Sequence, residues 1–248
     1  MTDVQRTDFV AVGVSDLRRA ESFYGKTLGL ARNPNTSGER WVEFETGNLT
    51  IALSTFGPAI ALGVPDVDEA RGRLEAEGIE FARETFDSGV CNGAGFSDPD
   101  GNQLLLHHRY APLEPFDGEI TGAQRTDFVG VLSTDLERAE PFYENVLGLR
   151  RNPNHTPGWP EFETGNATLL ITDVAKTQQE FRPNGGAIAL RVPDVAETMG
   201  ELRAKGVEFL FDEVYESPVC HMAFLRDPDG NSIMLHHRHA PYRDGTMP

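Results

Sequence analysis

QRTDFVAVGVSDLRRAESFYGKTLGL at residues 5–30 returns as QRTDFVGVLSTDLERAEPFYENVLGL at residues 124–149, and this repetition decides the predicted fold. The later segments EFETGN, VPDV, DPDGN and LHHR also occur once in each half, in the same order. A repeat of about 120 residues has the size of a domain and not of a solenoid unit. The chain is therefore predicted to hold two similar domains at 1–109 and 124–240, with a linker at 110–123 and a tail at 241–248.

Each half alternates between strand-like and helix-like segments. FVAVGV at 9–14 has the alternation of a strand, and Asp16 is placed to cap the amphipathic helix that follows it. Asp66 similarly opens a second helix, and the Asp-Gly pair of DPDGN supplies the positive φ angles of a tight hairpin. Each half is thus predicted to contain two βαβββ-like modules in an α+β fold. An insertion at 173–186 is the main difference in the second half.

Composition excludes several classes of partner. Acidic residues outnumber basic ones by 39 to 22, so the formal net charge of −17 disfavours nucleic acid and anionic lipid. No leader-like segment or apolar run of membrane length is visible, which predicts a cytoplasmic protein with no membrane partner. Cys91 and Cys220 occupy matching apolar strand contexts, which predicts unpaired, inert thiols with raised pKa values.

Four motifs carry a family resemblance, and they are V-x-D-L at 14–17, FY at 23–24, LGL at 28–30 and DPDGN at 98–102. Together they resemble the vicinal oxygen chelate superfamily, which includes glyoxalase I, extradiol dioxygenases and bleomycin-resistance proteins. The resemblance covers roughly 5–110 and 124–240. It implies paired βαβββ modules whose sheets curl into a cup, with helices on the convex side. It also implies that metalloenzyme members place His or Glu ligands on the first and last strands of their modules.

The resemblance selects eight ligand positions in this chain, and all of them hold apolar residues. The positions on first strands are Phe9, Ala59, Phe128 and Ala187, and those on last strands are Ile51, Leu105, Leu169 and Met234. A divalent cation needs oxygen, nitrogen or thiolate donors, and one thioether does not make a site. The usual metal centre is therefore predicted to be absent, with no cofactor in its place.

Strand alternation indicates which side chains face the cup instead. It places Trp41 with Glu43, and Trp159 with Glu161, on the cup side of their strands. The last strand of each half is predicted to bring a histidine, His107 or His236, to the same face. His221 is a further candidate for the cup face of the second half, and the matching residue of the first half is Asn92. The predicted ligand-contacting residues are Phe9, Trp41, Glu43, Ile51, Leu105, His107, Phe128, Trp159, Glu161, Leu169, His221, Met234 and His236.

Three functions remain open from the sequence. The first is a metal-free protein, similar to bleomycin-resistance proteins, that binds a small and partly aromatic molecule, with carboxylates that favour cationic groups. The second is an enzyme that uses Glu161 and His236 as an acid–base pair, or a divalent metal displaced to Glu161, His221 and His236. The third is a structural or partner-binding role. Modules could pair within or across halves, in a pseudo-dimeric monomer or a homodimer.

Overall fold

A computed structural model describes residues 3–112, 116–153, 155–156, 158–177, 179–241 and 245–246 of the chain. Parts of the predicted linker (113–115) and of the predicted tail (242–244 and 247–248) lie outside the described residues. None of the helices in those ranges is long and apolar enough to cross a membrane.

The described residues form two sheets of eight strands with the same order. Strands of the first sheet are β1 (Arg6–Gly13), β2 (Ala31–Asn33), β3 (Trp41–Glu45), β4 (Thr50–Ser54), β5 (Ala59–Gly63), β6 (Phe86–Asp87), β7 (Cys91–Ser97) and β8 (Gln103–Arg109). Strands of the second sheet are β9 (Arg125–Ser133), β10 (Arg150–Arg151), β11 (Glu161–Glu163), β12 (Thr168–Asp173), β13 (Ile188–Arg191), β14 (Tyr215–Glu216), β15 (Cys220–Arg226) and β16 (Ser232–Arg238). The orders are β2-β3-β4-β1-β5-β8-β7-β6 and β10-β11-β12-β9-β13-β16-β15-β14. The predicted α+β fold of repeated βαβββ modules is confirmed.

The helices begin where the sequence places aspartate caps. They are α1 (Leu17–Ser22), α2 (Val67–Ala76), α3 (Leu136–Pro141) and α4 (Val195–Ala204), and α1 and α3 continue as π-helical turns at Phe23–Thr27 and Phe142–Val146. The side chains of Asp16, Asp66, Asp135 and Asp194 each accept a hydrogen bond from the backbone N–H three residues later. These bonds satisfy N–H groups that the first helical turn leaves without a partner.

The chain folds into two compact units that do not coincide with the predicted segments 1–109 and 124–240. Unit 1 contains Met1–Ala11, Pro58–Phe116 and Gly130–Gly186. Unit 2 contains Val12–Gly57, Asp117–Val129 and Ala187–Pro248. Each unit therefore combines a module from one repeat with a module from the other.

A buried tyrosine and a buried aspartate explain how two repeats combine within a unit. In unit 1, Tyr143 of the second repeat donates its hydroxyl hydrogen bond to Asp98 Oδ2 of the first repeat at 2.8 Å. In unit 2, Tyr24 of the first repeat donates to Asp227 Oδ2 of the second at 3.1 Å. The FY motif of one repeat thus meets the DPDGN motif of the other. Burial, together with the adjacent carboxylates, raises the pKa of both tyrosines well above 10.

The DPDGN segments form the predicted hairpins between β7 and β8 and between β15 and β16, but only the glycine of each Asp-Gly pair has a positive φ. Asp98 Oδ1 accepts hydrogen bonds from the backbone N–H groups of Asp100 and Asn102 at 2.9 and 2.8 Å. Gly101 has a φ of +88°, in the region that glycine adopts at little cost. The insertion packs against this hairpin, because Asn184 N–H donates to Asn102 Oδ1 at 2.8 Å.

Alternating burial defines two faces of each sheet. On β8, Leu104 and Leu106 are buried in the core, while Leu105 and His107 point to the other face. We call the face that carries Leu105 and His107 in unit 1, and Met234 and His236 in unit 2, the cup face.

Candidate functional site

Strand β3 presents an aromatic and an acidic side chain on the face opposite the core of unit 2. Val42 and Phe44 are buried, whereas Trp41 and Glu43 are half-buried. Trp41 Nε1–H donates to Glu43 Oε1 at 2.6 Å, and the Thr36 hydroxyl also donates to this carboxylate. The alternation predicted for this strand is observed, and contact with a ligand stays a prediction.

Strand β11 repeats the acidic position but not the tryptophan. Glu161 is half-buried next to buried Phe162, and Asn152 Nδ2 donates to Glu161 Oε2 at 3.1 Å. Trp159 lies in the turn before the strand, separated from it by Pro160, which has no N–H for strand pairing. The prediction that Trp159 continues the strand is therefore wrong.

Two residues predicted to line the cup lie on the core face instead. Ile51 pairs with Phe44 across β3 and β4, and Leu169 pairs with Phe162 across β11 and β12. Directly opposite residues share a face, and these four side chains are fully buried.

Turn length is the physical reason for that error. The Thr46 N–H to Leu49 oxygen bond closes a turn that contains Asn48, whereas Asn102 itself closes its turn with Asp98. The ligand position is predicted by counting three residues from the asparagine of each turn. Because the two turns differ in length, this count leads to Ile51 on the core face after Asn48, but to Leu105 on the cup face after Asn102.

His107 lies in a polar cluster on the cup face of unit 1. Its Nδ1 lies 2.6 Å from Asp8 Oδ2, and its ring meets Phe9 edge-on with centroids 5.2 Å apart. Simple alternation would send Asp8 and Phe9 to opposite faces. The register of β1 against β5 shifts between Thr7 and Phe9, however, and a bulge of this kind re-aims a side chain.

His236 lies in the same arrangement on the cup face of unit 2. Its Nδ1 lies 2.5 Å from Asp127 Oδ2, and its ring meets Phe128 edge-on with centroids 5.4 Å apart. The register of β9 against β13 again shifts at the aspartate. Met234 precedes His236 by two residues and shares its face, as predicted.

Both histidines are held in the protonated form. Burial by itself lowers the pKa of each ring, but hydrogen bonds to Asp8 and Cys91 raise that of His107 from 6.5 to about 9. Asp127 and Cys220 raise the pKa of His236 to about 9 in the same way. At neutral pH each site therefore contains an imidazolium paired with a carboxylate.

The two sites differ at the position on β5 or β13 that neighbours the histidine. Gly63 pairs with His107, and a Cβ atom there would lie 2.9 Å from the Asp8 carboxylate oxygens. Arg191 pairs with His236, and its Nε lies 2.8 Å from Asp127 Oδ1. Burial raises the pKa of Asp127, but bonds from His236 and Arg191 outweigh this effect and lower it.

His221 does not join the cluster around His236. His221 pairs with His237 across β15 and β16, whereas the partner of His236 is Met222, so the two histidines lie on opposite faces. The His221 ring lies 4.7 Å from that of His239. The prediction that His221 faces the cup is therefore wrong. The observed difference between the two sites is that unit 2 has Arg191 at the position where unit 1 has Gly63.

The residues present do not fit the metal site of the superfamily. Phe9, Leu105, Phe128 and Met234 occupy four of its ligand positions on the cup faces, and none offers an oxygen, nitrogen or thiolate donor. Within the described residues, no three His, Cys, Asp or Glu side chains are grouped to hold a metal ion. The alternative trio of Glu161, His221 and His236 is therefore not assembled.

The prediction of raised thiol pKa values is also wrong. A hydrogen bond with His107 lowers the pKa of Cys91, against the effect of burial. Burial raises the pKa of Cys220, but bonds from His236 and Ser217 outweigh it and lower that value as well.

Sequence reasoning missed Asp8 and Asp127 entirely. The segment TDF occurs at the start of the first strand in both halves, so the aspartates were visible as a repeated feature. Their orientation depends on a bulge, which leaves no distinct signal in an alternating strand.

Comparisons with known proteins agree with this architecture. The chain resembles the complex of homoprotocatechuate 2,3-dioxygenase from Brevibacterium fuscum with 3,4-dihydroxyphenylacetate, with a TM-score of 0.68, 18% identity, and coverage of 96% of this chain and 82% of that chain. It also resembles the Mn(II)-bound glyoxalase from Novosphingobium aromaticivorans, with a TM-score of 0.64, 16% identity, and coverage of 94% and 82%. At these identities the likeness shows the fold alone.

Sequence comparison finds a relative and a family. A Vibrio parahaemolyticus protein named "Probable lactoylglutathione lyase" is 29% identical over 112 residues, which cover 41% of this chain and 81% of that protein. The family model matches twice, at residues 6–106 and 125–235. Because the family model matches both repeats, the chain belongs to the Glyoxalase/Bleomycin resistance protein/Dioxygenase superfamily.

Proposed function

We propose that this protein binds a small organic molecule on the cup faces of its sheets without a metal ion. The observation that carries the proposal is that Phe9, Leu105, Phe128 and Met234 occupy the superfamily's ligand positions on the cup faces, where none offers an oxygen, nitrogen or thiolate donor for a metal ion. The contacts of His107 with Asp8 and of His236 with Asp127 support it. A histidine coordinates a metal through a neutral ring nitrogen. With a pKa of about 9, neither ring supplies one at neutral pH.

Apolar side chains next to these ion pairs support binding of an apolar or aromatic group. Phe9, Leu105 and Phe128 are half-buried on the cup faces and Met234 is 7% exposed. Small-molecule sites are mostly apolar surfaces with a few placed polar groups. Aromatic side chains add edge-on or stacked contacts with a ligand ring.

Half-buried carboxylates favour a cationic group on the ligand. Glu43 lies beside Trp41, and Glu161 holds the matching position on β11. A cationic, partly aromatic ligand is the class that a bleomycin-resistance-like specificity requires, and we include that specificity in the proposal. Free Cys91 and Cys220 thiols favour the cytoplasm as the compartment.

An acid–base enzyme that uses Glu161 and His236 has less support. The His236 ring is hydrogen-bonded to Asp127 and Cys220.

The two tryptophans of the chain give one reporter in each unit. In the presence of EDTA, a library of cationic and neutral aromatic compounds is titrated into 15N-labelled protein while the indole N–H signals of Trp41 and Trp159 are followed. We expect saturable shifts of at least one indole signal, preferentially with the cationic members. Glu43→Gln removes the charge next to Trp41 but keeps its shape, so it should weaken cationic binding at that reporter by about 1 kcal/mol or more.

Two results would contradict the proposal. One is that no compound shifts either indole signal. The other is that binding, or lactoylglutathione lyase activity, appears only after Mn²⁺, Ni²⁺, Zn²⁺ or Fe²⁺ is added at about one equivalent per chain and disappears in His236→Ala.

A further inference from the structure

Cys91 lies next to the His107–Asp8 pair on the cup face of unit 1. Gly93 is the register partner of His107, and Cys91 precedes Gly93 by two residues on the same strand, so its side chain points to the same face. Asp8 Oδ2 lies 2.6 Å from Nδ1 of His107 and forms a hydrogen bond with it. The other ring nitrogen is therefore the one left for the hydrogen bond between His107 and the thiol.

A serine completes the surroundings of the sulfur atom. Ser88 Oγ lies 3.1 Å from Cys91 Sγ, and it also accepts the backbone N–H of Cys91 at 3.1 Å. The Ser88 hydroxyl donates to the Cys91 backbone oxygen at 2.9 Å, which fixes the turn before β7. The thiol therefore lies within hydrogen-bond distance of Ser88 Oγ, on the face that also carries His107.

The charged groups that act on the thiol lower its pKa, whereas burial raises it. Arg109 is the register partner of Cys91 on β8 and contributes a favourable positive charge. Asp87 on β6 is the register partner of Asn92, and it accepts a hydrogen bond from the Tyr110 hydroxyl. The net effect is a lowered Cys91 pKa.

The same array occurs in unit 2 with less access to the sulfur. Cys220, His236 and Asp127 repeat the arrangement, and Ser217 Oγ lies 3.2 Å from Cys220 Sγ. Cys220 is only 8% exposed, whereas Cys91 is half-buried. Met222 is the register partner of His236, as Gly93 is of His107. The position two residues after the cysteine therefore carries a long side chain in unit 2 and none in unit 1.

We propose that Cys91 is a nucleophilic thiol that forms a covalent adduct with a small α,β-unsaturated carbonyl compound. A thiolate is the reacting form of cysteine, and an imidazolium beside it stabilises that form. Phe9 and Leu105 on the same face offer apolar contacts for the carbon skeleton of such a compound.

The addition balances without an oxidant or a reductant. The Cys91 sulfur forms a bond to the β carbon, and the electron pair of the double bond moves to the α carbon. The His107 imidazolium gives its proton to the α carbon and becomes neutral, and it then recovers a proton from water. Asp8 keeps its charge throughout and orients the ring.

The test measures adduct formation with N-ethylmaleimide by peptide mass spectrometry of the full chain. Rates are measured from roughly pH 5.5 to 8.5 for wild type, Cys220→Ser, Cys91→Ser and His107→Gln. We expect a fast phase at Cys91 that survives in Cys220→Ser and is lost in Cys91→Ser. At about pH 6.5 it should exceed the rate for the urea-unfolded chain roughly fivefold or more.

The rate profile of wild type decides the proposal even if a variant fails to fold. A midpoint at the pH of an ordinary thiol, or a Cys91 that is slower than the unfolded chain throughout, would overturn it. A folded His107→Gln protein should show a profile moved toward higher pH. An unmoved profile in that variant would assign the reactivity to something other than His107 and would also overturn the proposal.

Discussion

Arg191 Nε lies 2.8 Å from Asp127 Oδ1, and it adds a cation to the ion pair of unit 2 that unit 1 does not have at Gly63. The Arg191 side chain is 15% exposed and the Asp127 side chain 8%, so water screens their attraction only partly. The two repeats therefore differ in charge at this position, although each aspartate also has an arginine on its own strand, Arg6 at 3.1 Å from Asp8 and Arg125 at 3.5 Å from Asp127.

Removing Arg191 should destabilise the protein and leave the fold intact. Arg191→Gly copies the arrangement of unit 1, and we expect a loss of about 2 kcal/mol because a buried ion partner is removed. Arg125 also contacts Asp127, at 3.5 Å, but its side chain is 46% exposed, so Arg125→Gly should cost about 1 kcal/mol or less. Urea unfolding monitored by circular dichroism measures both, and equal losses would contradict this description.

Gly63 should tolerate no side chain. A Cβ atom would lie 2.9 Å from the Asp8 oxygens, which cannot retreat without losing the bond to His107. Gly63→Ala should therefore cost about 1–3 kcal/mol, as overpacking does. At Gly95, on strand β7 of the same sheet, a Cβ would meet nothing within 4 Å, so Gly95→Ala is the matched control with no loss expected. A stable Gly63→Ala protein with unchanged His107 signals would refute the prediction.

The buried tyrosine hydroxyls should contribute to stability through the DPDGN turns. Tyr143→Phe removes the donor to Asp98 Oδ2 and leaves that buried carboxylate with one fewer hydrogen bond. We expect a loss of about 1–3 kcal/mol in the free energy of unfolding. Tyr110 also donates to a carboxylate, that of Asp87, but it is 47% exposed, so Tyr110→Phe should change stability much less. A Tyr143→Phe loss no larger than that of Tyr110→Phe would show that this bond is unimportant.

The Asp8–His107 pair should make stability depend on pH in a defined window. The folded pKa of about 9 lies above the ordinary 6.5, so the contribution is complete below pH 6.5 and is lost as the pH rises through 9. Asp8→Asn should therefore cost on the order of 2 kcal/mol near pH 6.5 and much less near pH 10. Unfolding free energies of both proteins across this range test the sign. A cost that grows with pH would contradict it.

The sequence was sufficient for the modules but not for the details of the site. Aspartate caps, glycine turns and strand alternation have local causes, so Asp16, Asp66 and the DPDGN hairpins could be predicted. The orientation of Asp8 depends on a bulge between paired strands, and the faces of Ile51 and Leu169 depend on turn length. These features are set by strand register, which a single sequence specifies only indirectly.

The composition of the compact units was likewise outside the reach of sequence periodicity. The repeat shows that two copies of each module exist, but not which copies pack together. Contacts such as Tyr143 with Asp98 decide that question, and they join residues from different repeats.

The protonation state of the two cup-face histidines at neutral pH tests the central claim most directly. Two-bond 1H–15N correlation spectra of the imidazole rings, recorded near pH 7.5, distinguish a doubly protonated ring from a neutral one. We predict that His107 and His236 are both imidazolium, since each pKa is raised to about 9, and that Asp8→Asn and Asp127→Asn return their respective rings toward the neutral form. A neutral ring at either position in the wild-type protein at that pH, with a free nitrogen available to a metal ion, would contradict the account.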